Sequence, residues 1–241
     1  MDIPVNFASD FQVDGSWRRL QRWLLPERCL VCGERGAAGL DLCPACRVAL
    51  PWNVGACMTC ALPLPALDAG QVCGACQRKP PPLTLVASAC VYAAPVDGLL
   101  RRFKFHQDLA AGRLLTALLR ARCGDLARPQ ALLPVPLHAA RLRQRGYDQA
   151  LELARPLARA LGLRLCDGLQ RVRATAPQSE LDARARRRNL RHAFAVRAPL
   201  PQHVTLIDDV MTTGATLHAA AQALRRAGVA RVDAWVVARV P

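Results

Sequence analysis

Hydrophobic spacing along the chain changes at Pro80-Pro81-Pro82. Before that triple proline large apolar side chains are sparse; after it, strand-like runs and helix-like stretches alternate. Residues 85–92 predict a strand, 96–105 and 112–122 helices, and 131–135 a buried strand. Residues 149–161 predict a helix with Leu151, Leu153, Leu157 and Leu161 at apolar spacing and Pro156 as a kink point. Residues 193–196 and 203–207 predict two further strands. A helix follows from near Thr213 through Leu217, Ala220, Ala221 and Leu224 to a stop at Gly228, and 230–238 forms a last strand. The alternation predicts an α/β fold, a mostly parallel sheet flanked by helices. At the other end, 16–25 reads as a short amphipathic helix, with Trp17, Leu20 and Leu24 on one face and Pro26 as its stop, expected to pack on the main domain.

The sparse region carries four Cys-x-x-Cys pairs: Cys29/Cys32, Cys43/Cys46, Cys57/Cys60 and Cys73/Cys76. Two intervening residues let both sulfurs of a pair reach one tetrahedral ion from a tight turn, with Gly33 and Gly74 easing it. Pairing in sequence order gives two all-cysteine zinc sites; interleaved pairing is equally consistent with the spacing. So small a module cannot fold on apolar burial alone, so structural Zn²⁺, two ions in all, would supply the missing folding energy. Cys90, Cys123 and Cys166 stand apart and read as buried thiols.

Chemistry concentrates near the C-terminus in Ile207, Asp208, Asp209, Val210, Met211, Thr212, Thr213, Gly214, Ala215 and Thr216. A strand runs into an acidic pair, a hydroxyl-rich turn and a helix start. Unpaired amides and partial positive charge at a helix start hold phosphate. Gly214 permits close approach, and three threonines add donors. Asp208 and Asp209 would repel phosphate but accept from sugar hydroxyls. The segment therefore describes a site for a sugar 5′-phosphate with a free diol.

Two other segments suit an anionic ligand. Pro134, Val135, Pro136, Leu137 and His138 form a proline-stiffened turn after a strand, followed by Arg141, Arg143 and Arg145 and then by Tyr147, Asp148 and Gln149. Arginine clamps pyrophosphate with paired donors at such strand ends. From Arg171 to Phe194 the chain is arginine-dense, with Thr175, Gln178, Arg184, Arg187, Arg188, Asn189 and Arg191, and reads as a lid closing on an anion.

Composition sharpens this. The 241 residues are 52% hydrophobic, ample for a core, with a formal charge of +15. Only Lys79 and Lys104 are lysines, so the surplus is arginine, and it implies phosphates or nucleic acid as partner. Aromatic residues are only 5%, which argues against a broad base-stacking platform. Asp2 and Asp10 stand where a secretion signal would be positive. The longest mostly apolar stretch, 85–94, is far short of the roughly 20 residues a membrane helix needs. A cytoplasmic protein without stable membrane insertion is expected, and there paired cysteines favour metal over disulfides.

The segment 207–216 resembles the signature by which type I phosphoribosyltransferases bind 5-phosphoribosyl 1-diphosphate (PRPP). The resemblance implies the ribose hydroxyls on Asp208 and Asp209 and the 5′-phosphate on Thr212 to Thr216. More widely, the chain resembles the ComF family of competence-associated phosphoribosyltransferase-like proteins. It shares the leader ending in Pro26, the paired cysteines, RRFKF with Lys104, PVPLHAARLRQRGYDQA, TAPQSELDARARRRNL followed by AF, and LIDDVMTTGATL. Asp148 stands where the family usually has Asn. The resemblance implies a leader at 1–28, a double zinc ribbon at 29–80 and a type I phosphoribosyltransferase fold at 81–241. It also implies PRPP binding with Mg²⁺, and a link to single-stranded DNA and DNA-uptake proteins. In a transferase, Lys104 or Arg145 would stabilise charge on departing pyrophosphate. The rival expectation is a non-catalytic single-stranded-DNA-binding protein that uses the PRPP site as sensor or scaffold.

Overall fold

The computed structural model describes residues 27–65, 71–172 and 193–241. The expected leader helix lies outside them. The chain divides into two compact units, one ending at Val48 and the other running from Ala49 to Pro241.

In the first unit the chain doubles back through bridges between Arg28 and Arg35 and between Ala37 and Leu40, then enters a short helix, α1 (Pro44–Val48). Gly33 turns the first knuckle with φ +83°, its amide donating to the Cys29 carbonyl at 2.9 Å. The second unit opens with a matching knuckle, where the Ala61 amide donates to the Cys57 carbonyl at 2.8 Å. Here the left-handed residue is Ala61, with φ +54°, and not Gly74, which opens helix α2 (Gly74–Arg78). A left-handed alanine costs about 1–2 kcal/mol. Full burial of Ala61 within the hydrophobic core offsets that strain.

The remainder is a parallel five-stranded sheet with strands β1 (Val86–Val91), β2 (Ala131–Pro134), β3 (Arg164–Leu165), β6 (His203–Met211) and β7 (Arg231–Arg239). Their order is β1-β7-β6-β2-β3. A separate antiparallel pair joins β4 (Leu169–Arg171) to β5 (Phe194–Val196). The helices are α3 (Val96–His106), α4 (Leu109–Cys123), α5 (Ala139–Arg145), α6 (Gln149–Leu161) and α7 (Ala215–Arg226).

Seven consecutive residues of β7 are buried, the continuous apolar reading of a strand covered on both faces. On one face α7 packs with Val204, Leu206, Val232, Ala234 and Val236 in a hydrophobic cluster that also takes in Leu169 and Phe194. Neither α4 nor α6 contributes to that cluster; they pack on each other, α4 against β1 and β7, α6 against β2 and β6. Cys90, Cys123 and Cys166 are buried thiols, and burial raises the pKa of Cys90 and Cys123 to about 12. No helix among the described residues is long and apolar enough to cross a membrane.

Three departures from the sequence reading bear on the site. The β6 strand does not stop at Ile207 but pairs with β7 out to Met211, so the acidic pair lies within a strand. The arginine run after the proline turn, to which the sequence assigned no element, forms helix α5, capped by the His138 ring, whose Nδ1 accepts from the Ala140 amide at 3.2 Å. The strand at 193–196 pairs antiparallel with β4, outside the main sheet. Pro156 sits inside α6 without ending it.

Leu153 is fully buried on α6. We expect Leu153→Ala to lower the unfolding free energy by about 2–5 kcal/mol, read from urea denaturation.

Candidate functional site

Each tetracysteine set is a zinc site by geometry. The ligand sulfurs of Cys29, Cys32, Cys43 and Cys46 lie within 4.8 Å of one another, as do those of Cys57, Cys60, Cys73 and Cys76. Pairing therefore follows sequence order and not the interleaved alternative. The Cys32 and Cys43 sulfurs are 3.7 Å apart, and those of Cys60 and Cys73 3.8 Å. Zn–S bonds of about 2.3 Å in a tetrahedron put sulfurs about 3.8 Å apart. At one cysteine of each set backbone amides favour the thiolate form that zinc needs, while Cys32, Cys46, Cys60 and Cys76 shift upward. The Cys73 amide donates to the Cys57 sulfur at 3.2 Å. Burial pushes Cys57 up, yet such amide bonds outweigh it and bring it down to about 7; the same balance takes Cys29 to about 6.

The second centre forms at the C-terminal ends of β2 and β6. From β2 the chain moves outward to β3, from β6 outward to β7, so the crevice between these neighbours is a topological switch point. Pro134 pairs with Ile207, and the Val135 amide donates to the Ile207 carbonyl at 2.9 Å. That register sets the proline turn beside Asp208. A cavity of about 390 Å³ opens there.

Its acidic wall is the doublet. Asp209, 7% exposed, is held by the Lys104 ammonium at 2.8 Å, so α3 supplies the counter-charge. Asp208 accepts from the Asp209 amide at 2.9 Å. Burial, reinforced by the Asp209 carboxylate, raises the Asp208 pKa to about 7 against the opposing pull of that amide and Lys104.

Across the cavity stand Arg141, Arg145 and Arg171. Arg145 donates to the Gln149 side-chain oxygen at 3.0 Å and lies 5.8 Å from the Phe105 ring. Arg171 was expected to start the lid. It is instead the last residue of β4, 7% exposed and stacked 5.6 Å from the Phe194 ring. Burial, with a neighbouring arginine in each case, makes the charged forms of Arg141 and Arg171 harder to sustain. Desolvated guanidiniums crowded together favour an anion between them. Thr175, Gln178, Arg184, Arg187, Arg188 and Asn189 lie outside the described residues.

After Met211 the chain turns through Thr212 and Thr213 to Gly214, which caps α7 in the left-handed region at φ +75°. A Cβ there would stand 2.5 Å from the Met211 Cε and 3.0 Å from the His218 ring, so the torsion calls for glycine and a larger residue would also make the Met211 side chain shift. The Thr213 hydroxyl accepts from the Ala215 amide at 3.4 Å. A hollow of about 30 Å³ is lined by Asp208, Val210, Thr212, Gly214 and Thr216.

Sequence reasoning left Asp148 without a role. One of its oxygens accepts from the Leu151 amide at 3.1 Å, capping α6. The other accepts from the Leu137 amide at 3.2 Å, pinning the proline turn. Two N–H donors suit a carboxylate, since an amide side chain offers only one acceptor oxygen. Asp148 three residues before Leu151 was the readable capping signal.

Comparison with known proteins adds the kinship. Residues 20–77 match a double zinc ribbon domain and residues 148–241 a phosphoribosyl transferase domain. The chain is 38% identical to the DNA utilization protein YhgH of Salmonella typhimurium, over 89% of this chain and 98% of that one. This chain belongs to the ComF family. Competence protein F of Haemophilus influenzae is 34% identical over 88% of this chain and 96% of its own. Competence protein ComFC of Streptococcus pneumoniae is 25% identical over 61% and 65%.

Because its folded pKa lies above the unfolded one, Asp208 contributes stability that is present below about pH 4 and lost as pH rises to about 7. We expect Asp208→Asn to raise Tm relative to the unaltered protein at pH 8 and to lose that advantage towards pH 4. An advantage constant across this range would remove the raised carboxyl.

Proposed function

We propose that this ComF-family protein binds Mg²⁺-PRPP in the β2–β6 crevice, acts in DNA uptake, and passes the phosphoribosyl group to an acceptor. The observation that carries this reading is one cavity with an acidic doublet, a threonine-lined helix start beside it and three guanidiniums opposite. The ribose diol donates to Asp208 and Asp209, and the 5′-phosphate sits against Thr212 to Thr216. The pyrophosphate meets the turn from Pro134 to His138, with Arg141, Arg145 and Arg171 around it. Mg²⁺ takes one or two carboxylates plus phosphate oxygens; Asp208 suits it, because Asp209 is engaged by Lys104. The ion neutralises phosphate charge. As the bond to C1 lengthens, negative charge grows on the departing pyrophosphate, and fixed guanidiniums stabilise it without reorganising. In this account Lys104 holds the Asp209 carboxylate in place to accept a hydroxyl.

The relatives' names, DNA utilization protein and competence protein, support the DNA role. The cytoplasm, where thiols stay reduced, suits two zinc-bound cysteine sets. A charge of +15 favours one second reading, a protein that binds single-stranded DNA and uses the PRPP site as sensor or scaffold. Such binding weakens steeply with salt.

Calorimetry with Mg²⁺-PRPP and pyrophosphate release with candidate acceptors test the proposal. We expect the Asp208→Ala/Asp209→Ala protein to lose at least tenfold in affinity and all PRPP-dependent turnover. Undiminished binding in that variant overturns the assignment; binding without turnover on any acceptor, joined to salt-sensitive DNA binding, favours the second reading.

A further inference from the structure

The phosphate loop is a thin wall. On one side is the crevice; on the other, Thr213 and Ala215 face a second cavity of about 600 Å³, bounded by Cys60, Cys73, the Pro80–Pro82 run and His218. Within the loop Thr212 and Thr213 are exposed, while Gly214 is buried and Ala215 packs against the hydrophobic core. At its start the loop departs from the carbonyl of Met211.

That carbonyl is gathered by Arg239, the last residue of β7. Arg239 Nε donates to the Cys60 carbonyl at 2.9 Å. Its Nη1 donates to the Met211 carbonyl at 3.4 Å and to the carbonyl of Val240. The Val240 amide also donates to the Met211 carbonyl, at 3.0 Å. One guanidinium thus ties three backbone segments: a knuckle of the second cysteine set, the end of β6 where the loop departs, and the strand end beside it. Cys60 is a ligand of the zinc site, so its carbonyl position depends on the knuckle that the ion closes.

We propose that Arg239 is a positioning residue that couples the second zinc site to the phosphate loop, so that zinc at Cys57, Cys60, Cys73 and Cys76 holds the loop ready for a ribose 5-phosphate group. This rests on the reading of the crevice as a PRPP site. Planarity matters: the fork reaches the Cys60 and Met211 carbonyls from fixed donors, which a lysine ammonium does not reproduce. Coupling between two sites is reciprocal, so a ligand that orders the loop also holds the zinc.

The test uses the full chain with both zinc ions, and the variants Arg239→Gln and Arg239→Lys. Zinc content and thermal unfolding establish that each variant is folded. We expect amide hydrogen exchange over residues 212–216 to rise at least fivefold in Arg239→Gln and nearly as much in Arg239→Lys, with Mg²⁺-PRPP affinity falling about tenfold. Saturating Mg²⁺-PRPP should slow release of one zinc equivalent to a chromogenic chelator at least fivefold in the unaltered protein and not in Arg239→Gln. Loop exchange within twofold of the unaltered protein in both variants overturns the proposal. If the unaltered protein takes up no PRPP, the reading of the crevice fails, while loop exchange still decides the anchor. Should Arg239→Gln not fold, Arg239→Lys with full zinc and undisturbed loop exchange overturns it.

Discussion

Parallel pairing of β6 with β2 on one side and β7 on the other is the constraint from which the centre follows. Backbone hydrogen bonds between strands fix register, and register fixes which side chains meet. Pairing of Pro134 with Ile207 brings the proline turn level with Asp208, and pairing out to Met211 carries the doublet to the C-terminal end of the sheet as part of a paired strand. Strand pairing fixes the backbone positions of the two acids, and the cost is electrostatic: Asp208 is held where ionisation is resisted, beside a buried neighbour paired with Lys104. Stability is given up locally to keep a binding geometry in place.

The opposite wall repeats the theme. Burial and a neighbouring arginine make the charged forms of Arg141 and Arg171 harder to sustain, a state that an anionic ligand relieves. Asp148 accepts one hydrogen bond from the proline turn and one from the first turn of α6, and Gly214 opens the helix start with a left-handed torsion that favours glycine.

Much of this was legible from sequence because it depends on local pattern. The apolar blocks placed β1, β2, α3, α4, α6, α7 and β7 nearly where they stand, since strand and helix periods are written in short windows. The doublet, the threonines and Gly214 marked the strand–turn–helix of the candidate site through their order alone. What escaped depends on distant partners. The extension of β6 through Asp208 and Asp209 required β7 alongside, and polar residues there read as a strand end. Helix α5 was hidden because its arginines lack an apolar stripe, while β3 and β4 are too short to signal. Arg171 looked like one arginine among many, and only pairing of β4 with β5 shows it buried against Phe194. Zinc pairing order is a matter of tertiary distance, and Arg239 has no sequence neighbour that hints at Cys60, 179 residues away.

The account stands on the claim that this crevice seats a phosphorylated ribose with its diol on the acids. A crystal structure of the protein with Mg²⁺-PRPP tests it most directly. The account predicts the 2′- and 3′-hydroxyls within hydrogen-bond distance of Asp208 and Asp209, the 5′-phosphate on the amides of residues 212–216, and the diphosphate beside Arg141 and Arg171. A ligand bound elsewhere, or one whose phosphate faces the acids, would contradict it.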